Sequence, residues 1–373
     1  MAERQITSES IKGKTLTSRH PQSDKAQGLE GQESKPKLKV LLAAPRGFCA
    51  GVVRAIDIVE RALEKHGAPV YVRHEIVHNK FVVRALERKG ACFIQELDEI
   101  PNEHRHCPVI FSAHGVPKAI PKQAEALSIT WIDATCPLVS KVHREIERYY
   151  ERQAAVVMIG HQGHPEVIGT MGQLPEGAVV LIETLADVER LDFPPDQALA
   201  YVTQTTLSVD DTAQITEALR QKFPHIQGPQ AKDICYATTN RQEAVKEIAK
   251  HCDRVLIIGA PNSSNSNRLV DVAKQAGVAR ADLLQRAADL DLDFLKDCKT
   301  LGLSSGASAP DTLIEELIAL LEEKFDVSLE TVETRTENVR FNVPKELREV
   351  QVGLPVFQAA SAGGNQQENI SDG

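Results

Sequence analysis

The sequence lacks the features that mark a secreted, membrane-bound or nucleic-acid-binding protein. No apolar run approaches the length of a membrane span. The cysteines number seven, which is odd, and include no closely spaced Cys-x-x-Cys pair, so a secreted disulfide scaffold is not expected. A formal net charge of −9 argues against a general surface for nucleic acid or anionic membranes. The chain also has no nicotinamide-binding fingerprint of its own.

The two ends of the sequence are also poor in apolar residues. Residues 1–37 are polar, mix acids with bases and contain no apolar signal core, which favours a cytoplasmic protein. We predict that they form a disordered tail, and residues 351–373 a second one. The folded part should therefore span about residues 38–350, with the segment 331–350 packing on the core.

The sequence does contain a threefold repeat in the order of its elements, without close sequence identity between the three copies. Cys49, Cys136 and Cys235 each precede a helix-like run, and the first also follows a strand-like run from Leu38 to Ala44. Free backbone N–H groups at a helix N-terminus stabilise a thiolate. The sequence predicts an α/β fold of three similar units in pseudo-threefold arrangement, with the boundaries 38–135, 136–232 and 233–330.

Two polar turns follow each cysteine at similar distances. The first turns include His78, His164 and Ser263, which lie 29, 28 and 28 residues after their cysteines. The second turns include residues 114, 205 and 308, which lie 65, 69 and 73 residues after them. Because ligands sit outside the carboxyl ends of strands in open α/β sheets, all these groups should face one cavity. Equal spacings could also reflect common loop lengths.

Three convergent thiolates suit zinc or an iron–sulfur cluster, and three ligands leave one coordination position open for a substrate oxygen. The polar turns resemble an anion cradle for a phosphate or diphosphate, although a Ser/Asn run could simply be a turn that caps a helix. The candidate anion-binding residues are His78, His114, His164, Ser263, Ser264, Asn265 and Ser308.

Glu166 is the only carboxylate directly inside one of these turns. In a closed pocket near a thiolate-bound metal its pKa could rise, and the side chain could then donate a proton. The alternative is a first-turn helix acid favoured by the helix dipole. Thr205 and Thr206 could relay a proton or hold a substrate hydroxyl. We also note a possible capping box for the third helix, formed by Thr239 and Gln242.

The motifs together resemble the 4-hydroxy-3-methylbut-2-enyl diphosphate reductase family. They cover the core from about 40 to 347 in order, and their combination is highly specific although no single one would suffice. The matching stretches are PRGFCAGV (45–52), YVRHEIVHN (71–79), FSAHGV (111–116), DATCPLV (133–139), GHPEVIGTMGQ (163–173), TQTTLSVDDT (203–212), DICYATTNRQEAV (233–245), NSSNSNRL (262–269) and GASAPD (306–311).

This resemblance implies the last step of the methylerythritol phosphate route, the reductive dehydroxylation of an allylic diphosphate to isopentenyl and dimethylallyl diphosphates. It implies that Cys49, Cys136 and Cys235 hold a [4Fe–4S] cluster with one open iron, at the centre of the three α/β units. Glu166 would supply the proton with help from Thr205 and His164, and a ferredoxin or flavodoxin would supply the electrons. The implied diphosphate-binding residues are His78, His114, Ser263, Ser264, Asn265 and Ser308.

Three other functions compete with this interpretation. A redox-neutral hydro-lyase with a similar open-iron cluster would need no external electrons. A zinc hydrolase acting on a phosphorylated metabolite would be colourless when active. A non-catalytic iron–sulfur sensor would be inert towards reductant and substrate, and the acidic chain has no evident DNA-binding helix pair.

Overall fold

The fold was analysed in a computed structural model, and the structure describes residues 35–352. The predicted tails therefore lie almost entirely outside the described residues. The strands are β1 (Lys37–Ala44), β2 (Val70–Arg73), β3 (Ala91–Ile94), β4 (Val109–Phe111), β5 (Trp131–Asp133), β6 (Ala155–Ile159), β7 (Val179–Ile182), β8 (Leu199–Thr203), β9 (Arg254–Ile258), β10 (Arg280–Leu284), β11 (Thr300–Ser305) and β12 (Asp326–Glu333).

The α-helices alternate with these strands. They are α1 (Ala50–His66), α2 (Lys80–Glu87), α3 (Ala119–Ala126), α4 (Pro137–Glu151), α5 (Pro165–Met171), α6 (Leu185–Arg190), α7 (Val209–Lys222), α8 (Tyr236–Ala249), α9 (Ser264–Gln275) and α10 (Asp311–Lys324). Short 3-10 turns cover Leu97–Glu99, Asn102–His104, Ala287–Asp289, Leu292–Leu295 and Lys345–Leu347. None of the helices described between residues 35 and 352 is both long and apolar enough to cross a membrane.

The strands form three parallel sheets, as the predicted α/β class requires. Their orders are β3-β2-β4-β5, β7-β6-β8 and β10-β9-β11-β1-β12. Strand β6 reads AVVMI, and four of its five residues are buried. Such continuous apolar runs are typical of parallel strands that helices cover on both faces. The predicted α/β fold with three similar units is confirmed.

The pairing of the first strand could not be read from the sequence. β1 lies between β11 and β12, where Leu41 pairs with Gly302 on one side and Glu330 on the other. The first strand therefore completes the sheet of the last third of the chain. The unit boundaries at residues 135 and 232 stay a prediction.

In each copy of the threefold repeat, two adjacent strands end side by side. β2 pairs with β4, β6 with β8, and β9 with β11, all in parallel. In each pair, the two strand ends lead into the two polar turns of one unit. The C-terminal segment packs back onto this core, because Val343 and Leu347 are buried in the same apolar cluster as helix α1.

Candidate active site

Each repeated cysteine is the N-cap residue of a helix. Cys49 precedes α1, Cys136 precedes α4 and Cys235 precedes α8. The predicted position of each cysteine at a helix N-terminus is confirmed. All three line one cavity of about 110 Å³, so the sequence repeat does bring the thiols to a common place.

Gly51 lies against two of these sulfurs. A Cβ atom at this position would lie 2.8 Å from the Sγ of Cys136 and 3.7 Å from the Sγ of Cys49. A contact of 2.8 Å is impossible for a real methyl group, so only glycine allows α1 to begin this close to both thiols. The close approach of the backbone at Gly51 is therefore an approach to cysteine sulfur.

The three cysteines are partly buried. Burial, together with the neighbouring thiol of Cys49, raises the pKa of Cys136 to about 12 and that of Cys235 to about 11. Thr238 partly offsets this for Cys235, since its backbone N–H donates to the Sγ at 3.4 Å and its Oγ1 lies 3.2 Å from the same sulfur. Sequence analysis missed Thr238, although its place three residues after an N-cap residue is where such a contact forms.

Glu166 and Thr205 form a buried pair on the cavity wall. The carboxylate accepts hydrogen bonds from the backbone N–H of Thr205 at 2.6 Å and from its hydroxyl at 2.9 Å. Only 2% of Glu166 is exposed. Burial raises the pKa of this carboxyl to about 7, against the two hydrogen bonds, which lower it. The side chain can therefore exist in both protonation states near neutral pH.

His164 is the N-cap residue of α5, and its Nδ1 accepts from the backbone N–H of Glu166 at 3.1 Å. An Nδ1 that accepts a hydrogen bond carries no proton, so the neutral ring presents its Nε2 proton away from the helix. Burial and the neighbouring His78 hold the pKa of His164 at about 3. His164 is thus a neutral donor beside the carboxyl group.

Three histidine rings lie together at the cavity. The rings of His78 and His114 stack with centroids 4.1 Å apart, and the ring of His164 meets them edge-on at 5.4 and 5.9 Å. Burial and mutual repulsion hold the pKa of His114 well below its usual value. The Nε2 of His78 is buried without a hydrogen-bond partner among the described residues. Such a group is costly unless a ligand or water satisfies it.

Hydroxyl and amide groups of the third unit also line the cavity. Ser263 is the N-cap residue of α9, and Ser264 begins that helix. The Oδ1 of Asn265 accepts from the backbone N–H of Ala307 at 2.9 Å, which joins the two polar turns of the third unit. The hydroxyl of Ser308 donates to the backbone carbonyl of His78 at 3.0 Å, which joins the third unit to the first.

The structure brings every candidate residue from the sequence to this one cavity. They are Cys49, His78, His114, Cys136, His164, Glu166, Thr205, Cys235, Ser263, Ser264, Asn265 and Ser308. Their individual roles stay predictions, since proximity alone does not assign them.

Two further residues support the walls and were missed. Gln204 is fully buried; its Oε1 accepts from the backbone N–H of His161 and its Nε2 donates to the hydroxyl groups of Thr206 and Ser264. Glu75 accepts from Asn262 at 2.8 Å and lies 3.3 Å from the Nδ1 of His78. Both link loops that are far apart in sequence, and no local pattern reveals such links.

The three cysteine thiols of this cavity are side chains that could bind a metal centre. No group of three or more His, Cys, Asp or Glu side chains in residues 35–352 is arranged to hold a metal ion. Zinc held by three thiolates requires every sulfur about 2.3 Å from one ion. Three cysteine thiols that line one cavity are the ligand type of an iron–sulfur cluster, whose cysteines bind separate irons.

Fold and site together define an α/β protein with three thiols at the centre and a cradle of histidine, serine and asparagine side chains beside them. Comparison with known sequences then identifies the family. The family described as LytB protein matches residues 40–322, and the chain belongs to that family.

Similar proteins carry one activity in their names. The protein named 4-hydroxy-3-methylbut-2-enyl diphosphate reductase from Ruegeria pomeroyi is 60% identical over 85% of this chain and 99% of its own. The protein of the same name from Brucella anthropi is 56% identical over 86% of this chain and 91% of its own.

Solved structures agree with the sequence comparison. The E-1-hydroxy-2-methyl-but-2-enyl-4-diphosphate reductase from Plasmodium falciparum superposes with a TM-score of 0.80 at 40% identity, over 84% of this chain and 97% of that chain. A second structure, described as (E)-4-hydroxy-3-methyl-but-2-enyl diphosphate reductase, the terminal enzyme of the non-mevalonate pathway, gives a TM-score of 0.55 at 30% identity, over 77% and 99% of the two chains.

Proposed function

We propose that this chain is a 4-hydroxy-3-methylbut-2-enyl diphosphate reductase. It removes the hydroxyl group of the (E)-allylic diphosphate and yields isopentenyl and dimethylallyl diphosphates, the last step of the methylerythritol phosphate pathway. Two electrons and two protons are consumed, and water leaves. One observation carries the proposal: a buried carboxyl group with a pKa of about 7 lines the same cavity as three thiols and a cluster of histidines.

Cys49, Cys136 and Cys235 would hold a [4Fe–4S] cluster that has one iron without a cysteine ligand. When bound, such a cluster supplies electrons and a Lewis acid at the open iron. Three cysteines, and no fourth, line the cavity in the described part of the chain, which supports a centre with one position free of cysteine.

The diphosphate would bind to the cradle of His78, His114, Ser263, Ser264, Asn265 and Ser308. Two observations support this location. The Nε2 of His78 is buried without a partner among the described residues. Helix α9 begins at Ser264, so its free N–H groups and its dipole favour an anion there. The diphosphate would also raise the pKa of His114, and a charged ring would bind it more strongly.

Glu166 would donate the proton that turns the substrate hydroxyl into water. Its pKa of about 7 matches a proton donor that works near neutral pH. Thr205 would hold the carboxyl group in position through its two hydrogen bonds. His164 would steady the same turn, since its ring accepts from the backbone of Glu166. The buried setting excludes bulk water from the proton path.

The electrons would come from a ferredoxin or flavodoxin, because the chain has no nicotinamide fingerprint. We also propose that the enzyme works in the cytoplasm. All seven cysteines are free thiols in the structure, which suits a reducing compartment.

The test replaces Glu166 by Gln, which keeps the size and removes the acid. We expect kcat to fall about 10²- to 10⁴-fold, the usual contribution of a general acid. Iron and sulfide per chain should stay at the wild-type level. Glu176→Gln is the matched control, because Glu176 is exposed and does not line the cavity. Near-normal turnover by E166Q with an intact cluster would remove Glu166 from the mechanism.

A second readout separates the reductase from a redox-neutral hydro-lyase. Turnover of the allylic diphosphate should stop when the chemical reductant is left out and should consume two electrons for each product. Product formation without electron uptake would favour the hydro-lyase instead.

A further inference from the structure

Each cysteine-capped helix carries a cationic side chain that reaches a different cysteine. Arg54, Lys141 and Arg241 lie five, five and six residues after Cys49, Cys136 and Cys235. Each places its charged group on backbone carbonyls just before the next cysteine of the repeat, not before its own. We call these three side chains the cationic clamps.

The first clamp joins α1 to the second cysteine. The Nη1 of Arg54 donates to the carbonyls of Ala134 and Thr135 at 3.2 and 3.0 Å, directly before Cys136. Its Nε donates to the carbonyl of Asn342 at 2.8 Å. The guanidinium thus holds the turn that delivers Cys136 and ties the C-terminal segment to it.

The second clamp joins α4 to the third cysteine. The Nζ of Lys141 donates to the carbonyl of Ala231 at 2.6 Å and pairs with the carboxylate of Asp233 at 3.0 Å. Asp233 is buried and also accepts from the backbone N–H of Thr203 at 2.9 Å. These bonds hold the segment that ends at Cys235 against strand β8.

The third clamp closes the ring by joining α8 to the first cysteine. Arg241 is fully buried, and its Nε and Nη2 donate to the carbonyl of Gly47 at 3.1 and 2.8 Å. Its Nη1 pairs with Glu337 at 3.0 Å, which balances the buried charge. Gly47 has a φ of +67°, so this turn adopts a conformation that other residues rarely take, and the guanidinium is the group that satisfies its carbonyl.

We infer that the cationic clamps are positioning residues that fix the distances between the three cysteines through a closed ring. Helix α1 holds Cys136, α4 holds Cys235, and α8 holds Cys49. The contacted carbonyls lie outside helices and strands, so the clamps supply hydrogen bonds that the regular backbone pattern does not. Because the contacts are cyclic, loosening one clamp releases the cysteine of the next unit. The thiols are therefore arranged before any metal centre is inserted.

The inference rests on the proposed function only in treating the cysteines as ligands. Its primary test uses the full chain without a cluster, so that this inference and the proposed function can fail separately. Amide hydrogen exchange by mass spectrometry would be measured for Arg54→Met, Lys141→Met and Arg241→Gln. We expect exchange to rise at least tenfold in residues 133–136, 231–235 and 46–49 respectively, with the other two segments near wild type.

Arg61→Met is the matched control for Arg54, because Arg61 lies on the same helix and donates to the carbonyl of Leu347, away from the cysteines. Lys246→Met is the control for Arg241, since its pair with Asp210 lies on the exposed side of α8. If Arg241→Gln does not fold, Arg241→Lys replaces it. A lysine keeps the charge with fewer donors and should raise exchange in 46–49 by a smaller factor.

A second readout concerns the loaded protein. Loss of iron to a chelator should be several-fold faster in each clamp variant than in the wild type and in the two controls, and the electron paramagnetic resonance spectrum of the reduced protein should change. Increased exchange confined to the variant's own helix, an equal increase in all three segments, or the same effect in Arg61→Met would overturn the inference. If the protein takes up no cluster but shows the cyclic exchange pattern, the proposed function is contradicted and the inference about the cationic clamps is supported.

Discussion

Replacing Thr205 by Val tests how the protein sets the pKa of its proposed acid. The substitution keeps the shape of the side chain and the backbone N–H, but removes the hydroxyl that donates to Glu166 at 2.9 Å. This hydrogen bond favours the ionised carboxylate, so its loss should raise the pKa of Glu166 from its value of about 7.

The size of the effect follows from the contact. A hydrogen bond to a charged group contributes about 1.5–3 kcal/mol, and one pKa unit corresponds to about 1.4 kcal/mol. The pKa of Glu166 should therefore rise by about one to two units. A general acid must be protonated to act, so activity falls as pH rises through its pKa. The alkaline limb of the kcat profile should then move upward in T205V.

The assay is the pH dependence of kcat at saturating substrate with a chemical reductant. We compare the pH at the midpoint of the alkaline limb between the variant and the wild type. The value of kcat on the limb is not compared, because it also reflects any lost contact with substrate. Thr206→Val is the control: the hydroxyl of Thr206 accepts from Gln204 and does not contact Glu166. An unchanged limb in T205V, or an equal change in T206V, would refute the assignment of this limb to Glu166.

The remaining predictions concern the metal site, the cradle and the folded state. Gly51→Ala should lower iron and sulfide per chain severalfold, because its Cβ would lie 2.8 Å from the Sγ of Cys136, whereas Val53→Ala on the exposed side of α1 should not. Ser308→Ala should raise KM about tenfold with a smaller change in kcat, as measured by steady-state kinetics, through loss of its bond to the carbonyl of His78 and of the proposed contact with the diphosphate. In cluster-free protein, Glu166 has a folded pKa of about 7 against 4.5 for the free group, so the folded state binds more protons and its stability falls as pH rises between these values. This group should lower the free energy of unfolding by about 3 kcal/mol between pH 4.5 and pH 7.5. Glu166→Gln should abolish that contribution, as measured by denaturant unfolding curves at the two pH values.

The local arrangement of the site could be predicted because it depends on short segments of sequence. Each cysteine directly precedes an apolar 3.6-residue pattern, and each was found at a helix N-cap. The polar turns follow strands that pair in parallel, so their side chains meet at one edge. The predicted capping box at Thr239 and Gln242 was wrong, since α8 begins at Tyr236 with Cys235 as its N-cap.

Contacts between distant segments could not be predicted in this way. Strand β1 pairs with β11 and β12, and a hydrophobic strand carries no signal that selects those partners over β2. Arg241 and Gln204 lie inside quoted motifs, but nothing in those motifs shows that both are fully buried and join separate loops. Their importance appears only when burial and hydrogen bonds are known.

The most direct test is a single turnover by anaerobically purified protein. Iron, sulfide and the absorbance spectrum are recorded first; the reduced protein is then mixed with the allylic diphosphate and only enough chemical reductant to supply the second electron of one turnover. We predict about four irons and four sulfides per chain, the count of a [4Fe–4S] cube. Addition of substrate should oxidise the cluster and form the two C5 diphosphates. Zinc without sulfide, and no oxidation on addition of substrate, would contradict the account.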